Sequence, residues 1–187
     1  MKSCHTLSTA SAADVTAHES SLGRRKFIKL GAPGAGMSLF LGANSVRASG
    51  GTEALLLSCM DYRLVDDLVK FMDGKGMTNK YDHVILAGAS AGAMHGKFAA
   101  WHETFWSHLA VAIDLHKTHK VMIIDRRNCG AYKIALGPDH TKDPAIELSA
   151  HAAILMPPAG KIREKHAHLE VETYLMAIDG TVEGIKA

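Results

Sequence analysis

Cys59-Met60-Asp61-Tyr62-Arg63 puts a thiol, a carboxylate and a guanidinium within one short stretch. A second thiol, Cys129, lies about seventy positions on, in Arg126-Arg127-Asn128-Cys129-Gly130. A deprotonated cysteine is both a nucleophile and a metal ligand. A neighbouring acid and base can fix a proton or orient a bound group. Two thiols with such a couple beside one of them therefore suggest a metal site or a nucleophile site, provided that the fold brings them together.

The elements around them argue that it does. Each thiol follows an apolar run, Ala54–Leu57 before Ser58 and Val121–Ile124 before Asp125. Short continuous apolar runs read as strands buried on both faces. Arg63–Met72 has helical spacing, with Leu64, Val65, Leu68, Val69 and Met72 on one face. His83–Ala87 reads as a second strand, followed by the small-residue loop Gly88–Gly92. Lys97–His116 reads as a long helix with Phe98, Trp101, Phe105, Leu109, Ala112 and Ile113 along its stripe. Cys129–Leu136 begins a short helix. Asp143 caps a further helix, with Pro144 at its first position, predicted to run to about Leu155 and to stop at Pro157-Pro158. Lys161–His168 reads as a separate helical turn, and Val171–Ile178 as a last strand before the Asp179-Gly180 turn.

Strands alternating with helices predict an α/β fold: three layers, with a central, mainly parallel sheet flanked by helices. Ligands of such sheets bind beyond the carboxyl ends of the strands. If the first and third strands are neighbours, both cysteines and the Gly88–Gly92 loop open at one rim, where backbone N–H groups can approach a small substrate or anion. The histidines sort by the same geometry. His83, His116 and His119 are expected at the far end. His102 and His108 fall on the long helix, and His166 and His168 near a surface turn. His95 and His140 sit in loops with reach to the cleft, although solvent exposure is the expectation for both.

Residues 1–48 read differently. A polar start leads to Gly23-Arg24-Arg25-Lys26-Phe27, then to a weakly apolar, Gly-rich stretch and to Val46-Arg47-Ala48. This resembles a twin-arginine export signal, cleaved before Ser49. The apolar run is short for a ~30 Å hydrocarbon core. The expectation is a periplasmic or otherwise exported domain over residues 49–187, with no membrane association after signal removal. Lys+Arg 21 against Asp+Glu 19 gives no electrostatic reason to expect a nucleic-acid partner. Three cysteines, one of them Cys4 within the signal, are too few for a disulfide framework.

Cys59-Met60-Asp61-Tyr62-Arg63 together with Asn128-Cys129-Gly130-Ala131-Tyr132 resembles the β-class carbonic anhydrases, in which Cys-x-Asp-x-Arg is followed about seventy residues later by His-x-x-Cys-Gly. The likeness runs from Leu55 to roughly Leu136, and Leu86-Ala87-Gly88 is similar to an Asn-Ala-Gly segment of that family. The resemblance implies Zn2+ held by Cys59 and Cys129, with Asp61 either a further ligand or, with Arg63, a catalytic couple that orients zinc-bound hydroxide for attack on CO2. It also implies a homo-oligomer. Phe98, Trp101 and Phe105 could make its contact, although their spacing alone has them covering the sheet.

The chain departs from the pattern at Arg126, which stands at the histidine-ligand position and cannot ligate zinc. Asn128 likewise replaces an acidic residue. Three arrangements follow. Cys59, Asp61 and Cys129 could hold zinc with a water. His95 or His140 could supply the missing imidazole. Or the site could lack metal, leaving Arg63, Arg126 and Arg127 as a cationic pocket for bicarbonate or another small anion. The corresponding activities are reversible CO2 hydration, hydrolysis of a sulfur analogue such as carbonyl sulfide, or binding without catalysis. Arg126 could turn outward on its long side chain, and the two thiols could instead be inert or joined as a disulfide.

Overall fold

A computed structural model describes residues 50–186. The expected export signal and Cys4 lie outside the described residues. Five strands form one sheet: β1 (Ala54–Cys59), β2 (Tyr81–Leu86), β3 (Lys120–Arg126), β4 (Glu170–Met176) and β5 (Val182–Gly184). Their order is β2-β1-β3-β4-β5. The first four run parallel, and β5 returns antiparallel to β4 through the Asp179-Gly180 turn. The first and third strands are thus neighbours, with Leu57 opposite Ile123 and Ser58 opposite Ile124.

Alternate residues of the central strands feed two cores. Leu55, Leu57, Val121 and Ile123 pack with Phe105 and Leu109 of α3 (Ala99–His116) and with Leu155 and Ile162 of α5 (Pro144–Lys165). Ala54, Leu56, Met122 and Ile124 pack with Leu64 and with Leu68 and Met72 of α1 (Val65–Gly74). Burial on both faces is why these strands read as continuous apolar runs. The three-layer α/β expectation holds.

Two shorter helices complete the rim: α2 (Ser90–Met94) after β2, and α4 (Gly130–Leu136) after β3. The Gly88–Gly92 segment is therefore loop only as far as Ala89. The long helix starts at Ala99 after a 3-10 turn over Gly96–Phe98. Of the residues predicted for its stripe, Phe105 is fully buried and Trp101 is 39% exposed.

The larger correction concerns α5. It does begin at Pro144, with Asp143 Oδ1 accepting from the N–H groups of Ala145 at 2.7 Å and Ile146 at 3.3 Å. It then passes through Pro157 and Pro158 to Lys165, absorbing the separate turn expected over Lys161–His168. A proline inside a helix costs about 3 kcal/mol relative to alanine. Buried Leu155 before the prolines, and Ala159 and Ile162 after them, hold the helix to the sheet and offset that cost.

Candidate functional site

Cys59 is the last residue of β1 and Arg126 the last of β3. The chain after β3 turns at Asn128, whose φ of 53° lies in the left-handed region that Asn tolerates. Its N–H donates to Glu147 Oε1 of α5 at 2.5 Å. Arg127 Nη1 reaches Glu147 Oε2 at 3.2 Å, and its Nη2 reaches Glu183 at 2.5 Å. This clamp aims Cys129 back at the rim.

The two sulfurs converge on Gly88. Its N–H donates to Cys59 Sγ at 3.3 Å. A Cβ built on Gly88 would lie 3.8 Å from Cys129 Sγ and only 2.8 Å from the Ala131 Cβ, at a φ of +76°. Glycine is required there for both reasons. Both cysteines are free thiols, so the disulfide alternative is not the arrangement seen. The neighbouring Cys129 thiol foremost, with the Gly88 N–H and the Arg126 guanidinium, lowers the Cys59 pKa to about 6 against the opposing effect of burial. The neighbouring Cys59, with burial, pushes the Cys129 thiol up.

Asp61 and Arg63 form the expected couple. Asp61 Oδ1 accepts from the Arg63 backbone N–H at 2.9 Å and from Nε at 3.0 Å, and Oδ2 accepts from Nη2 at 2.8 Å. The Arg63 contact foremost, with Arg126 adding, holds the Asp61 carboxyl at about 2. Arg126 does not turn outward. It is 8% exposed, ion-paired with Asp61, and donates through Nη1 to the carbonyls of Arg127 at 3.1 Å and Asn128 at 2.9 Å. Its Nε is buried and has no partner among the described residues.

A cavity of 170 Å³ opens beside Cys59 and Arg126, walled by Leu64, Val65, Ile85 and Met176. His83 also lines it, with Nε2 at 2.7 Å from Ser58 Oγ. This corrects its expected place at the far end. β2 begins at Tyr81, so His83 sits mid-strand opposite Leu56. Burial lowers its pKa. His95 and His140 do not line this cavity. His95 Nδ1 accepts from the Lys97 N–H at 3.2 Å, and His140 is 5% exposed rather than solvated.

These donors can be tested against zinc. The metal favours four N, S or O ligands in a tetrahedron. Among the described residues no three His, Cys, Asp or Glu side chains are grouped to hold a metal ion. Cys59 and Cys129 meet, but both Asp61 oxygens accept from arginines, and the Arg126 cation stands beside them. A guanidinium beside Zn2+ is repelled strongly in a poorly solvated cleft. The arrangement as it stands does not fit resident zinc. What it can do is hold a thiolate and present guanidinium charge at the end of an apolar cavity.

Solved structures that align with this fold include carbonic anhydrases. The carbonic anhydrase of Streptococcus mutans aligns with a TM-score of 0.50 at 13% identity, covering 74% of this chain and 84% of its own. The β-carbonic anhydrase CafA of Aspergillus fumigatus aligns with a TM-score of 0.50 at 14% identity, covering 73% and 76%. The architecture is that of the β-carbonic anhydrases, as the two cysteine motifs led one to expect. No protein-family profile matches the chain. It is 39% identical over 131 residues to an uncharacterized protein of Rickettsia conorii, covering 70% of each. It is 36% identical over 131 residues to an uncharacterized protein of Rickettsia bellii, covering 70% of this chain and 80% of that one. The chain belongs to the family of these rickettsial proteins.

Proposed function

We propose that this protein is a metal-poor, carbonic-anhydrase-like protein whose Cys59–Arg126 rim binds bicarbonate or a similar small oxyanion without hydrating CO2. The carrying observation is the inward, buried guanidinium of Arg126 at the position where the resemblance expects a neutral ligand. Nη1 and Nη2 of Arg126 are already paired, and its buried Nε–H, unpartnered among the described residues, is the charge-assisted donor left for an oxyanion. The apolar cavity walls lower the local dielectric and strengthen the attraction. Two guanidiniums face one carboxylate here, so the cluster carries one positive charge whenever Cys59 is protonated. Bicarbonate and the Cys59 thiolate then compete for that charge.

Two measurements test this reading. Reduced protein from zinc-supplemented growth should contain far less than one zinc per chain. Titration with 13C-bicarbonate should show saturable binding that Arg126→Gln abolishes. The competing reading is a zinc hydratase, favoured by the convergence of Cys59 and Cys129 at Gly88 beside an intact Asp61–Arg63 couple. Stoichiometric zinc with CO2 hydration would establish that reading and overturn ours.

Export through the twin-arginine-like segment and homo-oligomer formation belong to the same proposal. Met60, Val65, Val69 and Ile85 are each 46–65% exposed, and support an apolar contact near the rim in place of the α3 face considered from sequence. N-terminal sequencing of exported protein and light scattering test the two points.

A further inference from the structure

A second cluster adjoins the thiol rim, where Asp125 also lines the cavity and Tyr132 packs with Cys129, and it has no role in the proposed anion site. Asp125, fully buried, accepts from the Ser90 N–H at 2.9 Å, Ser90 Oγ at 2.6 Å and Tyr132 Oη at 2.5 Å. His151, also fully buried, places Nδ1 3.1 Å from Asp125 Oδ2, and its ring stacks on Tyr132 with centroids 3.8 Å apart. His140, on the 3-10 turn Pro138–Thr141, places Nδ1 2.8 Å from the carbonyl of Gly137. Carboxylate and carbonyl oxygens only accept, so both rings carry their proton on Nδ1 and offer a bare Nε2. Both Nε2 atoms are buried and have no partner among the described residues.

One carboxylate-backed and one carbonyl-backed imidazole, each with a free Nε2, reproduce the outer contacts of metal-ligating histidines. The ring centroids are 6.5 Å apart. A direct N–H···N bond of about 3 Å would bring the centres to about 5 Å, so the two nitrogens do not satisfy one another. A tetrahedral ion with Zn–N bonds of about 2 Å would also draw the centres to about 5 Å. A near-linear N–metal–N bridge with bonds of about 2 Å would put the centres about 6 Å apart, close to the observed 6.5 Å. Linear two-coordination suits monovalent copper, and imidazole is a suitable copper ligand. One positive charge is matched by one carboxylate, Asp125, behind His151.

We infer that His140 and His151 form a two-imidazole site for Cu(I). Pro138 and Asp139, exposed beside His140, leave the site one residue layer from solvent. The Cys59–Cys129 thiols are softer ligands and would take copper first, so the test uses the full chain carrying Cys59→Ser and Cys129→Ser. Anaerobic titration with Cu(I) against a chromogenic chelator should leave one equivalent bound, and X-ray absorption should report two imidazole nitrogens. His140→Gln or His151→Gln should weaken binding more than about a hundredfold, and Asp125→Asn about 10–100-fold. Failure of the thiol-free protein to retain copper would mean that the imidazoles are bridged by water only. That result, or unchanged affinity in folded His140→Gln protein, overturns the site. The X-ray absorption measurement leaves the histidines intact and stands even where a substitution prevents folding. Neither outcome bears on bicarbonate binding at Arg126.

Discussion

Arg126 is ion-paired with Asp61, the carboxylate that Arg63 already grips through two side-chain nitrogens and its backbone N–H. One acid thus serves two bases, and the guanidinium at the end of β3 is fixed inward. A rim that resembles a zinc site is held together by an internal cation instead.

Replacing that cation should restore a metal preference. Arg126→His removes the buried positive charge and adds an imidazole beside two thiols. Zinc per chain should rise from far below one to near one. If it does not rise in folded protein, the deficit lies elsewhere in the site, and Asp61 or the Cys129 loop becomes the suspect.

Cys59 should react as a thiolate at unusually low pH. Its pKa of about 6 predicts that alkylation accelerates as pH rises through that value, with Cys129 reacting far more slowly. On the proposed reading bicarbonate and the thiolate compete for Arg126, so saturating bicarbonate at fixed ionic strength should move the midpoint upward. By linkage, bicarbonate binds more weakly above the midpoint than below it. A midpoint indifferent to bicarbonate would separate the thiolate from the anion site.

Acid stability gives an independent reading of the Asp61 couple. The folded pKa of about 2 lies below the ordinary value of about 3.9. A depressed carboxyl contributes stability above its unfolded pKa, and that contribution is lost as pH falls through the folded one. Asp61→Asn should therefore be less stable than the parent at pH 6, with the difference shrinking between about pH 4 and pH 2. A constant difference would mean that the carboxylate charge is not what holds Arg63 and Arg126.

The clamp on the Cys129 loop can be loosened from α5. Glu147 accepts from the Asn128 N–H and from Arg127, and its side chain is 9% exposed. Glu147→Ala leaves both donors without that acceptor and should cost about 1–3 kcal/mol in chemical denaturation. It should also raise the alkylation rate of Cys129, which no purely global destabilisation of that size would do under native conditions.

Much of this was legible in the chain because burial on both faces writes itself as uninterrupted apolar strands. Ala54–Leu57 and Val121–Ile124 mark the two strands, and their adjacency, a condition at the level of sequence, is what brings Cys59 and Cys129 together. His83 was misplaced because strand starts are poorly marked. Asp82, a residue depleted in strands, separates Tyr81 from the apolar pair Val84-Ile85 and hides the strand's first two residues. The Asp125–His151 contact joins residues 26 positions apart on different elements, and no local spacing encodes it. His140 read as exposed because Pro138, Asp139 and Thr141 are polar or turn-forming, while its burial comes from Tyr132 and His151. The direction of Arg126 depends on partners supplied by β1 and by its own loop, which the residue type alone does not choose.

The continuation of α5 through two prolines tests how far packing outweighs local preference. Pro157 is exposed and Pro158 is buried in the core. Pro157→Ala restores a backbone N–H for the turn above it and removes the ring clash, with little apolar surface lost. The gain from helix propensity is about 3 kcal/mol, reduced by about 0.4–1 kcal/mol because alanine leaves the unfolded chain freer. About 2 kcal/mol is the expected stabilisation. Pro158→Ala should gain less, since it also removes buried ring carbons that pack near Leu155 and Ile162. Equal stabilisation by both substitutions would show that the Pro158 ring contributes nothing to the core, and destabilisation by Pro157→Ala would show that the helix is broken there rather than continuous.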